Sequence, residues 1–270
     1  MPELPEVETV RQTLRQFVLK QEIIDIDVYY DKIINGDSQE FIHRLSHQHI
    51  QEIERMGKYL IFILDHDAFV SHLRMEGKYH IVDRDTPVDK HTHVVFHLPN
   101  HQDLRYMDIR KFGRMEIVDL DHYLDQEPLK KLGKEPFDIE VDELYRLLHK
   151  SSLPIKTALL DQGIMAGIGN IYANEICFEM KIDPRTKASR LSKARVKELK
   201  DISVDVLTRA IKQGGTTIHS FDANGIHGLF QVELKAHGQK VCSSCGGPIK
   251  KIMLNQRGTY YCPICQKRRY

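Results

Sequence analysis

Four cysteines close to the C-terminal end of the sequence have the spacing of metal ligands. They form two C-x2-C pairs, Cys242 with Cys245 and Cys262 with Cys265, separated by sixteen residues. Four thiolates at this spacing can hold one tetrahedral zinc ion, and the segment between the pairs is long enough for a β-hairpin. The alternative is a pair of disulfide bonds, which a cytosolic chain disfavours. Because four thiolates leave no open coordination position, the pattern predicts one structural zinc ion.

The first eight residues, MPELPEVE, combine two prolines with three carboxylates. A helix start accounts for part of this, because Pro5 suits a first helical position and Glu6 and Glu8 complement the positive end of the helix dipole. The apolar face of that helix is predicted to consist of Val7, Val10, Leu14 and Phe17. The helix start leaves Pro2 and Glu3 unexplained.

A glycine-rich turn between two predicted helices occurs in LLDQGIMAGIGNIYANE. The first helix is predicted to end near Gly163, and Asn170 is predicted to be the N-cap of the second, which starts at Ile171. A helix N-terminus beside such a turn offers backbone N–H groups to a phosphate, and Lys156 precedes the turn. Ordinary helix pairs use the same glycines, so phosphate binding and simple packing both fit.

Three stretches of the first half place cations beside apolar side chains. They are GKYL, with Lys58; SHLRMEGKY, with His72, Arg74, Met75 and Glu76; and DIRKFG, with Arg110, Lys111 and Phe112. Core edges with solvated charges are the commoner explanation. The other explanation is a wedge, because apolar and Arg side chains can fill the gap that an extruded base leaves in a duplex.

The elements that must position these residues indicate an α+β protein. Strands are predicted in EIIDIDVYY, KYLIFIL, FVSHLRM, HVVFHL and RMEIVDL, and helices in VDELYRLLHK, KTALLDQ, IYANEICFEM and RVKELKDISVDVLTRAIKQ. Gly214 and Gly215 are predicted to stop the last helix. Cys177, among apolar neighbours, is predicted to be a small buried residue. The GGTTIHSFDANGIHGLF stretch that follows lacks periodicity and is predicted to be an exposed loop.

The composition is that of a globular chain, with 41% apolar and 29% charged residues over 270 positions. The sequence shows neither a transmembrane stretch nor a signal peptide, so we expect a cytosolic protein. The net charge of +1 averages over an uneven distribution. From residue 242 onward there are six Lys or Arg and no Asp or Glu. This basic C-terminal segment suits a polyanion partner.

Taken together, these motifs resemble the bacterial formamidopyrimidine-DNA glycosylases, a family of zinc-finger enzymes of base-excision repair. The resemblance runs essentially end to end. MPELPEVET, GKYL, SHLRMEGKY, DIRKFG, LLDQGIMAGIGNIYANE and the four-cysteine finger occur in the family's order and at similar spacing. The resemblance implies an N-terminal β-sandwich domain over 1–135, a helical domain with a helix-two-turn-helix motif over 136–230, and a zinc finger over 231–270.

The resemblance also implies catalytic roles. Pro2, exposed by removal of Met1, matches the family's nucleophile, and Glu3 matches its proton carrier, with Glu6 in support. Lys58 matches the lysine of β-elimination, and Arg257 at the tip of the finger matches the arginine of δ-elimination. The expected activity is therefore that of a DNA glycosylase and AP lyase, which forms a Schiff base with 8-oxoguanine or formamidopyrimidine nucleotides opposite cytosine.

The remaining matches are DNA contacts. Lys156 and Asn170 match phosphate-binding positions, Met75, Arg110 and Phe112 match side chains inserted into the duplex, and His91, His72, Lys111 and Glu76 complete the predicted interface. Damaged double-stranded DNA is the expected partner, bound by a monomer. Glu76 lies where the family approaches the flipped base, and the Gly-rich loop after Gly215 corresponds to the loop that covers it.

The chain departs from the family at two places. The covering loop has His219 where the family usually carries an Arg, and the segment before the finger reads LKAHGQKVC instead of LxVYGRxGxxC. Both changes bear on lesion preference or on placement of the finger. Two other functions fit parts of the sequence. One is an endonuclease VIII-like glycosylase for oxidised pyrimidines, against which the PELPE opening and the set of Met75, Arg110 and Phe112 argue; the other is a non-catalytic binder of damaged DNA, which would not need Pro2 and Glu3.

Overall fold

The structure is a computed structural model of the chain, and it describes residues 1–215 and 233–268. The helices of this described part are α1 (Leu4–Val18), α2 (Ser38–Leu45), α3 (Val141–Lys150), α4 (Ile155–Leu160), α5 (Asn170–Glu179) and α6 (Lys193–Lys212). Its strands are β1 (Glu22–Ile23), β2 (Asp25–Val28), β3 (Gln48–His49), β4 (Glu52–Met56), β5 (Tyr59–Ile63), β6 (Ala68–His72), β7 (Lys78–Asp83), β8 (Thr92–Leu98), β9 (Gln102–Met107), β10 (Arg114–Val118), β11 (Lys250–Leu254) and β12 (Arg257–Tyr261). The chain divides into two compact units, and the described residues of the first are 1–130.

The first unit is a sandwich of two antiparallel four-stranded sheets. One sheet has the strand order β10-β6-β5-β4 and the other has the order β2-β8-β9-β7. Aromatic side chains fill the space between them: Phe62 stacks on Phe69 within one sheet, and Phe69 stacks on Phe96 of the other with ring centroids 5.6 Å apart. Burial of these large rings supplies the main stabilisation of the sandwich, as the predicted fold class requires.

Helix α1 covers the sandwich with the apolar face that the sequence predicts, except at its last position. Val7, Val10 and Leu14 are buried in the core, whereas Phe17 is 40% exposed. Val18, four residues after Leu14, takes the last core position instead. The predicted face is therefore wrong only at Phe17.

The predicted strand EIIDIDVYY is two strands. β1 pairs with β3, and β2 pairs with β8 of the second four-stranded sheet. The interruption falls at Ile24, whose N–H donates to His97 O and whose side chain is partly exposed. Alternation of polar and apolar residues continues across the break, so the pattern could not reveal the change of partner.

The second unit contains helices α3 to α6 and the hairpin of β11 and β12, within residues 131–215 and 233–268. All four predicted helices of this half are present. The end of α6 is confirmed in detail, because Gly214 and Gly215 both have positive φ and their N–H groups bond to Ile211 O and Ala210 O. This is the Schellman pattern of a helix C-terminus. In the described part of the chain, no helix has the length and apolar character needed to cross a membrane.

The predicted hairpin between the two cysteine pairs is also confirmed. β11 and β12 pair in register from Lys250 with Tyr261 to Leu254 with Arg257. The two connecting residues, Asn255 and Gln256, have φ values of 46° and 60°. Two positive φ angles are typical of the tight turn that matches the twist of a hairpin, so Arg257 stands directly after the tip.

Candidate functional site

The first two candidate residues, Pro2 and Glu3, are buried at the start of α1. Glu3 occupies the N-cap position, and its N–H donates to Glu6 Oε2 at 2.7 Å. Both carboxylates are 2% exposed. Glu6 therefore fixes the backbone of Glu3 and, through it, the chain that leads to Pro2. This geometry suits the supporting role predicted for Glu6.

A third carboxylate of this helix, Glu8, links α1 to the turn that carries Lys58. Its Oε2 accepts from Arg55 Nε at 2.9 Å, and Arg55 donates in turn to Gly57 O at 3.1 Å. Burial raises the pKa of Glu8, but the hydrogen bonds from Arg11 and Arg55 lower it by more, so the pKa lies below its usual value. The sequence pattern indicated only a helix-dipole role for Glu8 and gave no sign of Arg55, because the two residues are 47 positions apart.

Lys58 and His72 are both almost buried, at 7% and 8% exposure. His72 lies opposite Tyr59 in the sheet, and the two rings meet edge to face at 4.5 Å. Burial, together with the charges of Arg74 and Lys58, lowers the pKa of His72 to about 3, so its imidazole is neutral at pH 7. Because Nδ1 accepts the N–H of Arg74, the ring proton is on Nε2. A cavity of about 220 Å³ opens beside this ring.

Two loops carry the side chains predicted to enter a duplex. Met75 and Glu76 are half-buried in the loop after β6. Arg110 and Phe112 are exposed in the loop after β9, with the guanidinium 4.8 Å from the centre of the ring. Their neighbour Lys111 lies over the ring of Tyr30 at 4.7 Å. An exposed aromatic ring under an arginine is a suitable surface for a nucleobase.

His91 lies next to this second loop and is half-buried. Its carbonyl accepts the N–H of Asp108, the first residue of DIRKFG, at 3.0 Å. The structure therefore brings His91 and Arg110 into one neighbourhood, and their contact with DNA stays a prediction.

In the second unit, Lys156 and Asn170 meet the hairpin of the finger. Lys156 Nζ donates to Asn170 Oδ1 at 2.5 Å, to Thr259 Oγ1 at 2.9 Å and to Gly258 O at 3.2 Å. Asn170 Nδ2 donates to the same Gly258 carbonyl. Since Gly258 follows Arg257, this network fixes the hairpin tip against the start of α5. The side chain of Lys156 is completely buried, and its contact with phosphate stays a prediction.

The predicted N-cap of α5 is wrong by one residue. Gly169 occupies the N-cap position, and Asn170 is the first helical residue. The physical reason is that the Asn170 amide bonds to Lys156 and Gly258 instead of to the helix backbone. The preceding helix also ends earlier than predicted, at Leu160, with the glycines forming the connection to α5.

Helix α5 holds the segment before the finger through residues that sequence analysis did not select. Glu175 is buried and accepts the N–H groups of Lys235, Ala236 and His237 at 2.7, 3.0 and 2.7 Å. Asn174 Oδ1 accepts from Tyr260 N at 3.2 Å. Both belong to the quoted stretch NIYANE, where polar residues inside a buried helix were the available signal.

The four cysteines of the finger come together as a metal site requires. Their Sγ atoms all lie within 4.8 Å of one another, with 3.8 Å between Cys242 and Cys265 and 3.6 Å between Cys245 and Cys262. Tetrahedral zinc with bonds of about 2.3 Å places its sulfur ligands about 3.8 Å apart. The donor set and its geometry therefore fit zinc. The fifth cysteine, Cys177, is buried as predicted, and burial raises the pKa of its thiol to about 12.

Comparison with known protein families identifies three domains in this chain. Residues 1–115 match the formamidopyrimidine-DNA glycosylase N-terminal domain, and residues 132–222 match the formamidopyrimidine-DNA glycosylase H2TH domain. Residues 239–268 match the zinc finger found in FPG and IleRS. The fold and the order of these three domains are those of a zinc-finger DNA glycosylase.

Relatives and solved structures agree over the full length. A formamidopyrimidine-DNA glycosylase of Ligilactobacillus salivarius is 46% identical, with 98% of this chain and 99% of the relative aligned, and one of Listeria monocytogenes is 42% identical over 99% and 100%. The Lactococcus lactis enzyme in complex with N7-benzyl-Fapy-dG DNA has a TM-score of 0.93 at 40% identity, covering 99% of this chain and 100% of that one. The same enzyme with abasic-site DNA has a TM-score of 0.92 at 39% identity, covering 98% and 100%.

This chain belongs to the formamidopyrimidine-DNA glycosylase family. It is an enzyme, a DNA glycosylase of base excision repair, in a family whose members also have lyase activity. The covering loop with His219 lies outside the described residues. His237, in the segment that departs from the family pattern, contacts Asn174 through Nδ1 at 2.7 Å.

Proposed function

We propose that this protein is a bifunctional DNA glycosylase and AP lyase that removes oxidised purines from duplex DNA. The observation that carries the proposal is the start of α1, where Pro2 precedes a Glu3 whose backbone is held by Glu6. The names of the relatives and the ligands of the Lactococcus lactis complexes point to formamidopyrimidines and abasic sites. The family resemblance adds 8-oxoguanine paired with cytosine.

The first step is nucleophilic. Removal of Met1 leaves Pro2 with a secondary amine, and α-amino groups titrate at about pH 8, so part of the population is unprotonated at neutral pH. The amine attacks C1′ of the damaged nucleotide, the bond from C1′ to the base breaks, and the base leaves with the bonding electrons and a proton. Glu3 protonates the sugar ring oxygen as the ring opens, which yields an iminium between Pro2 and C1′.

The iminium then drives strand cleavage. It withdraws electrons from C2′, so that loss of a C2′ proton expels the 3′ phosphate by β-elimination. A second elimination expels the 5′ phosphate. We assign the first elimination to Lys58 and the second to Arg257, which is exposed directly after the hairpin tip. Hydrolysis of the iminium returns Pro2 to its starting state.

The remaining predicted residues bind the duplex. His72, neutral because of its lowered pKa, donates its Nε2–H to a phosphate without adding a charge. Asn170 binds phosphate beside the hairpin, and Lys156, whose Nζ donates to Asn170, Gly258 and Thr259, supports that contact through Asn170. Met75, Arg110 and Phe112 fill the space of the extruded base, and His91, Lys111 and Glu76 line the same surface.

The four cysteines hold one zinc ion, whose role is to stabilise the finger. The protein acts as a cytoplasmic monomer on damaged double-stranded DNA. Its working divisions are the catalytic domain over 1–135, the helix-two-turn-helix domain over 136–230 and the finger over 231–270.

The test compares two preparations of the protein, one beginning at Pro2 and one retaining Met1. A duplex with one 8-oxoguanine opposite cytosine is the substrate, and binding and strand cleavage are measured separately. We expect both forms to bind the duplex and only the Pro2 form to cleave it, because the amide nitrogen of Pro2 in the Met1 form is not nucleophilic. Normal turnover by the Met1 form would overturn the assignment of Pro2.

A further inference from the structure

The loop that carries Arg110 and Phe112 is held by one buried carboxylate. Asp108 is 1% exposed. Its Oδ1 accepts the N–H of Arg110 at 2.9 Å, and its Oδ2 accepts the N–H groups of Phe112 and Gly113, both at 2.8 Å. A carboxylate that accepts three backbone N–H groups fixes the path of the chain around it. The two side chains that project from this loop are thereby pre-oriented.

The backbone groups of Asp108 tie the same loop to strand β8 and its approach. The Asp108 N–H donates to His91 O at 3.0 Å, and the Asp108 carbonyl accepts from His93 Nε2 at 2.7 Å. The carbonyl also accepts the N–H of Lys111, a residue with a φ of 58°. A lysine in the left-handed region is maintained only where its surroundings enforce it. Hydrogen bonds to the Asp108 carbonyl from Lys111, and to its carboxylate from the residues on either side, hold Lys111 in this conformation.

A second buried residue, Tyr106, joins this loop to the loop that carries Met75. A Cβ added to Gly113 would lie 1.6 Å from the Tyr106 hydroxyl oxygen, and one added to Gly77 would lie 2.4 Å from it. Gly113 ends the DIRKFG loop, and Gly77 ends the loop of Met75 and Glu76. The absence of both side chains lets the two loops pack against one phenol. Packing against Tyr106 therefore fixes the position of the Met75 loop relative to the DIRKFG loop.

We propose that Asp108 is a positioning residue for extrusion of the damaged base, and that Tyr106 aligns the Met75 loop with the loop that Asp108 holds. The proposal rests on the proposed function, because it assumes that Met75, Arg110 and Phe112 enter the duplex. Ordering of the loop before DNA arrives removes the entropy cost of ordering it during insertion. The rate of base removal then depends on a residue that does not touch DNA.

The chain offers a matched control in β9, the strand that leads into this loop. Asp103 is also buried, at 2% exposure, but its carboxylate binds the side chains of Arg105 and His97 instead of loop amides. Asp103→Asn and Asp108→Asn both remove one buried charge from β9 or its end. Only Asp108→Asn changes the acceptor of the loop amides, because one of its two oxygens becomes an NH₂ group and at least one amide loses its acceptor.

The experiment measures three quantities for the wild type and both variants. They are the melting temperature, the single-turnover rate of base removal from an 8-oxoguanine duplex, and the rate of cleavage at a preformed abasic site, where no base has to be extruded. We expect both variants to melt earlier. In Asp108→Asn the ratio of the base-removal rate to the abasic-site cleavage rate should fall roughly tenfold, which is the effect of losing one charge-assisted hydrogen bond. In Asp103→Asn the same ratio should stay within about twofold of the wild-type value.

An equal change of that ratio in both variants, or no change in Asp108→Asn, would overturn the proposal. A measurement on the wild type covers the case in which Asp108→Asn does not fold. Hydrogen exchange should show the amides of Arg110, Phe112 and Gly113 protected in the free protein, and rapid exchange at all three would refute pre-ordering. Failure of the wild type on both DNA substrates would instead refute the proposed function, and the role of Asp108 in base extrusion would fall with it.

Discussion

Replacement of Glu175 by Gln should loosen the attachment of the finger to helix α5. The carboxylate accepts three backbone N–H groups, one at Oε2 and two at Oε1. A Gln can keep Oε1 as an oxygen, but its NH₂ then faces the N–H of Lys235, so one hydrogen bond is lost and two become neutral. Burial raises the pKa of Glu175, so the variant recovers part of the cost of burying the charge. We expect a net loss of about 2 kcal/mol in the free energy of unfolding.

The assay combines urea denaturation with the rate of zinc release to a chelator, measured on the zinc-loaded protein. Glu179→Gln is the control, because Glu179 lies one turn further along α5 and is bound by the side chains of Arg209 and Lys235 near the surface. Such a partly exposed pair contributes less than about 1 kcal/mol. Glu175→Gln should therefore release zinc faster than Glu179→Gln. Equal stability and equal release rates in the two variants would refute the role assigned to Glu175.

Four further outcomes are expected. Arg257→Ala should weaken δ-elimination and lesion binding while iminium trapping remains detectable, and an unchanged distribution of cleavage products would argue against its role. Chelation of zinc should unfold the finger and abolish DNA binding, because a closed four-thiolate site contributes folding free energy directly and Cys242, Cys262 and Cys265 themselves belong to the small apolar cluster around it. Retained affinity in a preparation shown to be metal-free would contradict this. Tyr106→Phe should lower the free energy of unfolding, measured by urea denaturation, by less than about 0.5 kcal/mol, because the hydroxyl has no hydrogen-bond partner among the described residues. A larger decrease would show that the hydroxyl has a partner. The pKa of His72 is lowered from 6.5 to about 3 in the folded protein, so the unfolded chain takes up a proton first as the pH falls. The stability that His72 contributes is therefore complete above pH 6.5 and is reduced by at most about 2 kcal/mol at pH 5. His72→Asn should lose less stability than the wild type between these two pH values, and an equal loss would contradict this.

Much of the architecture could be predicted because it depends on local patterns. The cysteine spacing predicted the finger, and the turn at Asn255 and Gln256 completes the hairpin expected between the pairs. Gly214 and Gly215 end α6 because glycine readily adopts the positive φ that a helix C-terminus requires, and glycine is recognised directly in a sequence. Helical periodicity located α3 to within its observed bounds. In each case the deciding interaction joins residues close together in the chain.

The organisation of the site could not be predicted where it depends on distant pairs. Glu8 reaches the Lys58 turn through Arg55, and Lys156 reaches the hairpin at Thr259, more than a hundred residues away. The N-cap at Asn170 was wrong for the same reason, since a tertiary partner took its amide. Asp108 was visible as the first letter of DIRKFG, but nothing in the sequence showed that three loop amides would converge on it.

Attack of Pro2 on the damaged nucleotide underlies both proposed activities, base removal and strand cleavage. The most direct measurement is borohydride trapping on a duplex with a single 8-oxoguanine opposite cytosine, followed by mass spectrometry of the N-terminal peptide. We predict a covalent adduct on Pro2, which would establish the nucleophile, the lesion class and the lyase intermediate together. A protein with an intact Pro2 terminus that binds this duplex and gives no adduct there would contradict it.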